Sequence, residues 1–468
     1  AYDALGRKVY MNDPNRGEKR YAYDAASNLV ATLDAKGQRV TYTYDGANRH
    51  LTEDYHDEGE AFSAERNYDP AEPISETNRP DVAYYYDTPD GPVDLGDGTS
   101  AVPQNTRGFL VRVTDLAGED YTSYDSRGRV EWVVKRIPDP ATGDLVSYAT
   151  RTTYDMQDRL DTVVFPDGDR CRYTYNAGNR FERLTGGATA NLGGTPYIVS
   201  GMAYLPSGLR RSMAFGNGVT TTYEYDVIEL LTRIRTVSSA APLLDYRYEF
   251  NGVANIVGIE DLRPAAALGA GEPLRNTQLF TYDDLYRLAS VQYSFHVPGQ
   301  PAREDGRIDY RYDYVGNMLE KSSNIVHDRD GLSLTDIGEM RYGGRKGAWG
   351  RVGRGSQEGP GPHALSAAQG HSFAYDANGN MVQLDRLACT FDFKDQLVSV
   401  EDDRMRAEYV YDFSGHRTIK KVWERNAEGT LPEAPSHSVV YAEKHFEVRD
   451  RGQPTKYVYH SGTRLARI

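Results

Sequence analysis

Tyr42-Thr43-Tyr44-Asp45-Gly46-Ala47-Asn48-Arg49 decides the fold, because near-copies of it recur from one end of the 468-residue chain to the other. Tyr42 and Tyr44 stand two apart, so on a strand they share one face of the sheet while Thr41 and Thr43 point to the other. Asp45 is placed to accept hydrogen bonds from the backbone just ahead of it. Three residues later stands a residue type that tolerates positive φ. A type I turn followed by a left-handed residue closes a short hairpin, and the aliphatic run that follows pairs back on the Tyr strand. One copy is one β-hairpin.

The copies begin at Tyr2-Asp3 with Gly6 in the left-handed slot and continue through Tyr21-Ala22-Tyr23-Asp24 with Ser27. After degenerate copies at Tyr68-Asp69 and Tyr84-Tyr85-Tyr86-Asp87 come Tyr124-Asp125 with Gly128, Tyr154-Asp155 with Asp158, and Tyr173-Thr174-Tyr175-Asn176 with Asn179. Further copies stand at Tyr204, Tyr223-Glu224-Tyr225-Asp226, Tyr248-Glu249-Phe250-Asn251, Phe280-Thr281-Tyr282-Asp283 and Tyr310-Arg311-Tyr312-Asp313 with Gly316. The last group is Phe373-Ala374-Tyr375-Asp376 with Gly379, Phe391-Asp392-Phe393, Tyr409-Val410-Tyr411-Asp412 with Gly415, and Tyr457-Val458-Tyr459. Glu229 and Tyr286 fill the left-handed slot in two copies, whose turns are expected to differ from the rest. Spacings of 21 residues recur, as from Tyr2 to Tyr23 to Tyr44 and from Tyr154 to Tyr175. Such a period means stacked supersecondary units, so residues 1–468 read as one continuous section with long loops at about 87–120 and 343–370, the second carrying Trp349. With no Met at position 1 and half a unit at Tyr2, the chain reads as a piece of a longer protein.

Composition bounds what such a section does. Tyr outnumbers Phe 36 to 13, and a Tyr needs a hydroxyl partner, so a wide sheet walled with Tyr suits a hydrated cavity better than a packed sandwich. The formal charge of −14 argues against binding nucleic acid or anionic membranes, and no run of about 18 apolar residues is present to span a membrane. Cys171 and Cys389, the only two cysteines, read as reduced, semi-buried thiols.

Candidate chemistry is thin. His50 with His56 and His363 with His371 lack a third ligand at a zinc spacing. Asp54-Tyr55-His56-Asp57-Glu58 and His327-Asp328-Arg329-Asp330-Gly331 lack the full alternation of a calcium loop and read as solvated turns. Every copy brings its own Asp, so paired carboxylates carry no diagnostic weight, and no nucleophile elbow, phosphate loop or Cys/His arrangement is present. No catalytic, metal or cofactor residue is assigned. The residues singled out are architectural. The turn set is Asp3, Gly6, Asp45, Asn48, Asp125, Gly128, Asp313, Gly316, Asp376, Gly379, Asp412 and Gly415. The aromatic wall is Tyr42, Tyr44, Tyr173, Tyr175, Tyr223, Tyr225, Tyr310, Tyr312, Tyr409 and Tyr411.

The opening copy, Tyr310-Arg311-Tyr312-Asp313-Tyr314-Val315-Gly316-Asn317 and Phe373-Ala374-Tyr375-Asp376-Ala377-Asn378-Gly379-Asn380 resemble YD repeats of the Rhs family, which includes bacterial Rhs toxins, the B and C components of Tc toxins, and teneurin shells. The resemblance implies an all-β fold in which repeated antiparallel hairpins form a spiralling, hollow shell, here an open or partial one. It implies a secreted or cell-surface bacterial protein. It implies as partners an enclosed C-terminal toxic polypeptide, the remaining shell segments, and a secretion or delivery component. The family's aspartyl self-cleavage motif and toxin are not matched by any residue here; Asp13-Pro14-Asn15-Arg16-Gly17 departs from that motif. Two functions follow: a non-catalytic shell section that holds a toxic cargo, and an adhesion or carbohydrate-binding module. A β-helical glycosidase ranks behind both.

Overall fold

A computed structural model of the chain describes residues 1–56, 71–72, 74–75, 78–186, 197–239, 241–264, 275–296, 306–325, 335–343 and 361–468. The copy at Tyr68-Asp69, the stretch 327–331 and Trp349 lie outside these. Among the described residues every regular element is a strand, and the strands pair antiparallel. The fold is all-β, built of repeated hairpins.

The opening copy shows how one hairpin is made. Strand Arg39–Tyr44 pairs with His50–His56, with Tyr44 opposite His50 and Thr43 opposite Thr52, so Leu51 is the extra residue of a bulge. The bulge falls on the outgoing strand and leaves the Tyr strand regular, which keeps Tyr42 and Tyr44 on one face. The same offset recurs where Tyr124 faces Val130, Tyr225 faces Leu231, Tyr312 faces Met318 and Tyr411 faces Arg417. Between the strands the Asp45 N–H donates to the Arg49 carbonyl and the Asn48 N–H to the Asp45 carbonyl, both at 3.0 Å. The left-handed slot has φ of +76° at Gly6, +62° at Asn48, +78° at Gly128, +95° at Gly316, +89° at Gly379 and +85° at Gly415. Glu229 (+68°) and Tyr286 (+60°) sit there too, with the same turn bonds, so these two turns do not differ as expected. The bonds accepted by the turn Asp and the pairing of both strands outweigh the roughly 1–2 kcal/mol that a left-handed side chain costs.

The described residues gather into two compact units. One comprises Ala1–Asp169, Tyr342–Ser366 and His371–Ile468; the other comprises Arg170–Arg341 and Ala367–Gly370. In the first unit two strips of antiparallel strands meet edge to edge with their chains running the same way. Asn15 lies against His363, Asp34 against Asn378, Glu53 against Lys394, Asp115 against Phe413 and Asp167 against Lys456. Dry core is confined to patches such as Val93, Leu95, Trp132, Val134 and Ala149. In the second unit, strands from Tyr197–Tyr204 through Met318–Ser323 pair each with the next in chain order.

The interval expected as a loop at about 87–120 is irregular only to residue 109. It carries a two-stranded ribbon, Val93–Asp94 with Ser100–Ala101, and strands Leu110–Asp115 and Gly118–Tyr124 follow. The ribbon lies on the sheet. A Cβ at Gly96 would stand 2.2 Å from the Ser147 carbonyl oxygen, and Asp97 pairs with Arg151 at 2.7 Å. Its Pro, Gly and Asp residues shape a compact excursion over Trp132.

Asn48→Val forces a β-branched residue to φ near +62° and is expected to lower stability by about 1–2 kcal/mol, whereas Asn48→Gly stays close to the parent; urea midpoints separate the two. Gly128→Ala is expected to cost more than Gly6→Ala, since only its Cβ meets a neighbour, Phe109 Cζ at 2.9 Å.

Candidate functional site

Each hairpin turn is a small polar machine centred on its Asp. Asp45 Oδ1 accepts the N–H groups of Ala47 and Arg49, each at 2.9 Å, and Oδ2 accepts Arg49 Nε at 2.6 Å. Asp3 with Arg7, Asp125 with Arg129 and Asp283 with Arg287 repeat this arrangement. Where Asn replaces Arg, its Nδ2 takes the same oxygen, as in Asn317 on Asp313 and Asn380 on Asp376. The Arg49 backbone and side-chain donors hold the Asp45 carboxyl below its ordinary range, and Arg7 does the same for Asp3.

The same Arg reaches the following hairpin. The guanidinium carbon of Arg7 lies 4.9 Å from the ring centre of Tyr23, Arg49 4.5 Å from Tyr86, Arg129 4.7 Å from Tyr154 and Arg287 4.7 Å from Tyr312. The second Tyr of a copy reaches back. Tyr44 Oη donates to the Leu29 carbonyl at 2.9 Å, Tyr154 to Val130 at 3.0 Å, Tyr282 to Ile256 at 2.6 Å and Tyr411 to Leu397 at 2.9 Å. Each acceptor is the first strand residue after the preceding turn. Asp, Arg and Tyr thus form a relay that couples one hairpin to the next.

The sequence placed the Tyr hydroxyls toward water; these four are turned to neighbouring backbone instead. Among the other wall residues, Tyr42 leans on His50 with ring centres 5.3 Å apart, and burial pushes its phenol up to about 12. Tyr173 is buried beside Phe181 at 6.0 Å, and Tyr175 meets Phe181 edge-on at 6.4 Å. Tyr223, Tyr225 and Tyr310 are half-buried, and Tyr409 lies 5.4 Å from the Arg417 guanidinium carbon. The Arg slot was missed as a class, although Arg7, Arg49, Arg129, Arg159, Arg180 and Arg287 all stand directly after the left-handed residue.

The second feature is the seam between the two strips of the first unit. Lys135 Nζ lies 2.6 Å from Asp120 Oδ2 and 2.8 Å from Asp412 Oδ2, so one buried ammonium ties a C-terminal turn to an N-terminal strand. Burial opposes its charge, but Asp120 and Asp412 hold the Lys135 ammonium above its ordinary value. Asp115 Oδ2 accepts the Phe413 N–H at 2.6 Å; burial, with Asp120 and Asp412 nearby, pushes its carboxyl up to about 6. Glu443 is raised as well, chiefly by burial. A cavity of ≈ 250 Å³ opens here, lined by Asp120, Lys135, Ser414, His416 and Glu443 among others. Ser414 Oγ bonds both Asp412 Oδ1 and His416 Nδ1, which locks the turn.

Along the seam, buried Glu53 accepts Tyr84 Oη at 2.8 Å and Tyr55 Oη at 3.0 Å and pairs with Lys394 at 2.9 Å. Tyr55 stacks on Phe393 with centres 5.3 Å apart. The solvated turn expected at residues 54–58 is therefore corrected over its described part. Asp54 to His56 close the strand His50–His56, where Thr52, Glu53 and Asp54 are buried, Glu53 against Lys394 of the C-terminal strip and Thr52 against Thr43 of the paired strand. Cys171 is buried and Cys389 half-buried. Among the described residues no group of three or more His, Cys, Asp or Glu side chains is arranged to hold a metal ion, and no helix is long and apolar enough to cross a membrane.

With hairpin, relay and seam described, the comparisons define the class. The RHS Repeat family matches residues 23–59, and with the relatives and structures below this match supports a kinship of the chain with Rhs/YD-repeat proteins. Among such proteins it is similar to Tc toxin subunits. Toxin subunit YenC1 of Yersinia entomophaga is 27% identical over 144 residues, covering 26% of this chain and 15% of that protein. Toxin subunit YenC2 of the same organism is 24% identical over 196 residues, covering 37% and 20%. The crystal structure of TcdB2-TccC3 superposes with a TM-score of 0.71 at 18% identity, covering 98% of this chain and 23% of that one. A Photorhabdus luminescens Tc holotoxin pore gives 0.70 at 18% identity. The chain thus shares the fold of these structures and matches less than a quarter of the length of each relative.

Lys135→Met strands Asp120 and Asp412 in the seam, and we expect a loss of about 3–5 kcal/mol, read as lost amide protection at residues 412–416 and largely restored by adding Asp120→Asn and Asp412→Asn. Asp115 has a folded pKa raised to about 6 from 3.8, so its contribution to stability is fully present below about pH 4 and is lost as pH rises through about 6. Asp115→Asn keeps an acceptor for the Phe413 N–H and should flatten that dependence, measured as hydrogen-exchange protection at Phe413 from pH 4 to 7.

Proposed function

We propose that residues 1–468 serve as one continuous, non-catalytic section of a bacterial YD-repeat toxin shell, exported as part of a larger protein, that holds a toxic polypeptide away from the cell that makes it. The observation that carries this reading is the seam. A strip of hairpins returns along the edge of an earlier strip in the same chain direction and is stapled to it by Lys135, Lys394 and Lys456. Edge-to-edge stapling builds wall area without a dry core, which is what an enclosure needs and a packed enzyme domain does not. The similarity to Tc toxin subunits supports the same reading. The shell's partners are then the enclosed polypeptide, further shell segments and a delivery component.

Co-expression of the complete shell with the polypeptide that follows it, then limited proteolysis, checks this. The cargo should be digested at least about tenfold more slowly than the same polypeptide alone, as expected when cleavage waits on opening of the shell; equal rates would overturn the reading.

A further inference from the structure

The second unit carries an edge that the seam explains. Its consecutive strands bring the turns at residues 226–230, 251–255, 283–287 and 313–317 to one side of the sheet, each about 10 Å from the next at two strand spacings. Their tips are apolar and bare. Val227 is fully exposed and Ile228 is 70% exposed, and Val253, Leu285, Tyr314 and Val315 stand out in the same row. Single exposed apolar residues need no explanation, but four successive turn tips in line make a contiguous strip of apolar surface.

In the first unit the corresponding position is used. Phe393 and Phe413 directly follow their turn Asp, as Val227 and Tyr314 do, and both are half-buried against the other strip: Phe393 stacks on Tyr55, and Phe413 meets Tyr84 edge-on at 5.7 Å. That strip answers with aromatic rings and with buried Lys135, which pairs with the turn carboxylate of Asp412. The row in the second unit likewise carries carboxylates at its tips, Glu229 and Asp284.

We propose that the turn edge formed by residues 226–230, 251–255, 283–287 and 313–317 is a docking edge for a further YD-repeat strip, which presents aromatic rings and Lys or Arg side chains from its opposite edge. The occupant is a third strip in the sense in which residues 361–468 are a second. The TcdB2-TccC3 match covers 23% of that chain, so proteins of this fold have length for more strips. This rests on the shell reading above and deepens it by naming the partner surface.

The test places photo-reactive benzoylphenylalanine at position 228, 285 or 315 of the complete protein in the cell that makes it, and cross-linked peptides are mapped by mass spectrometry. The expected products join these positions to strand-connecting turns of YD repeats outside residues 170–341. Cross-links to residues 343–370, to the enclosed polypeptide or to the same turns of a second copy would each overturn the proposal, as would their absence. A charged pair, Ile228→Glu with Val315→Glu, should cut cross-linking from position 285 by about tenfold or more, as loss of apolar anchors does at other interfaces. These side chains are exposed, so the variant is expected to keep its own melting temperature. The shell reading is scored separately by proteolysis: a protected cargo without the expected cross-links defeats only the docking edge, and the expected cross-links with an unprotected cargo defeat only the enclosure.

Discussion

The structure depends on a carboxylate that orders each hairpin turn. A hairpin alone is marginal in water, and these hairpins bury little apolar surface with which to fix their turns. Asp45 supplies the order instead, accepting two backbone N–H groups and one guanidinium within five residues of chain. Charge-assisted bonds of this kind are about twice as strong as neutral ones. They leave Arg49 oriented with its flat face free. That face is where Tyr86 of the next hairpin rests, so a turn that solves its own hydrogen bonding also presents a binding surface to its neighbour.

The seam follows a different rule. Within a strip, coupling runs through exposed or half-buried groups, where an ion pair is worth at most about 1 kcal/mol and redundancy across repeats matters more than any one contact. Between strips, Lys135 and Asp412 are buried, and desolvation consumes most of what their attraction yields. Such a pair adds little net stability over an apolar contact. It does tie register to particular partners, because a strip shifted by one hairpin parts Asp412 from Lys135 and Lys394 from Glu53, and Lys135 keeps Asp120 of its own strip. The charges therefore set register, and Phe393 and Phe413 supply the burial. Asp115 and Glu443 are raised chiefly by burial in this seam, with Asp120 and Asp412 nearby adding to it.

The hairpin is legible in the sequence because its determinants are close together: Tyr42, Tyr44, Asp45 and Asn48 specify strand, face, acceptor and corner. The resemblance to YD repeats rests on those same residues. The relay was half legible, since Arg recurs after the left-handed slot but its partner ring lies in the next copy, where pattern reading does not look. Glu229 and Tyr286 were misjudged because intrinsic backbone preference was weighed without the bonds that Asp226 and Asp283 supply. The burial of Glu53 was illegible. It depends on Lys394 and Phe393, more than 300 residues away, and no local spacing records such a contact.

That separation in sequence also orders the assembly. Hairpins close over a few residues, whereas the seam joins residues such as Lys135 and Asp412, 277 apart. Closure entropy grows only slowly with loop length, so distance alone does not forbid the contact, but non-local pairings are the slow ones. Within each strip the turn Asp and the Tyr hydroxyl join one hairpin to the next, with Arg added to the relay in the N-terminal strip. The buried charges are then desolvated last, against partners already held in place.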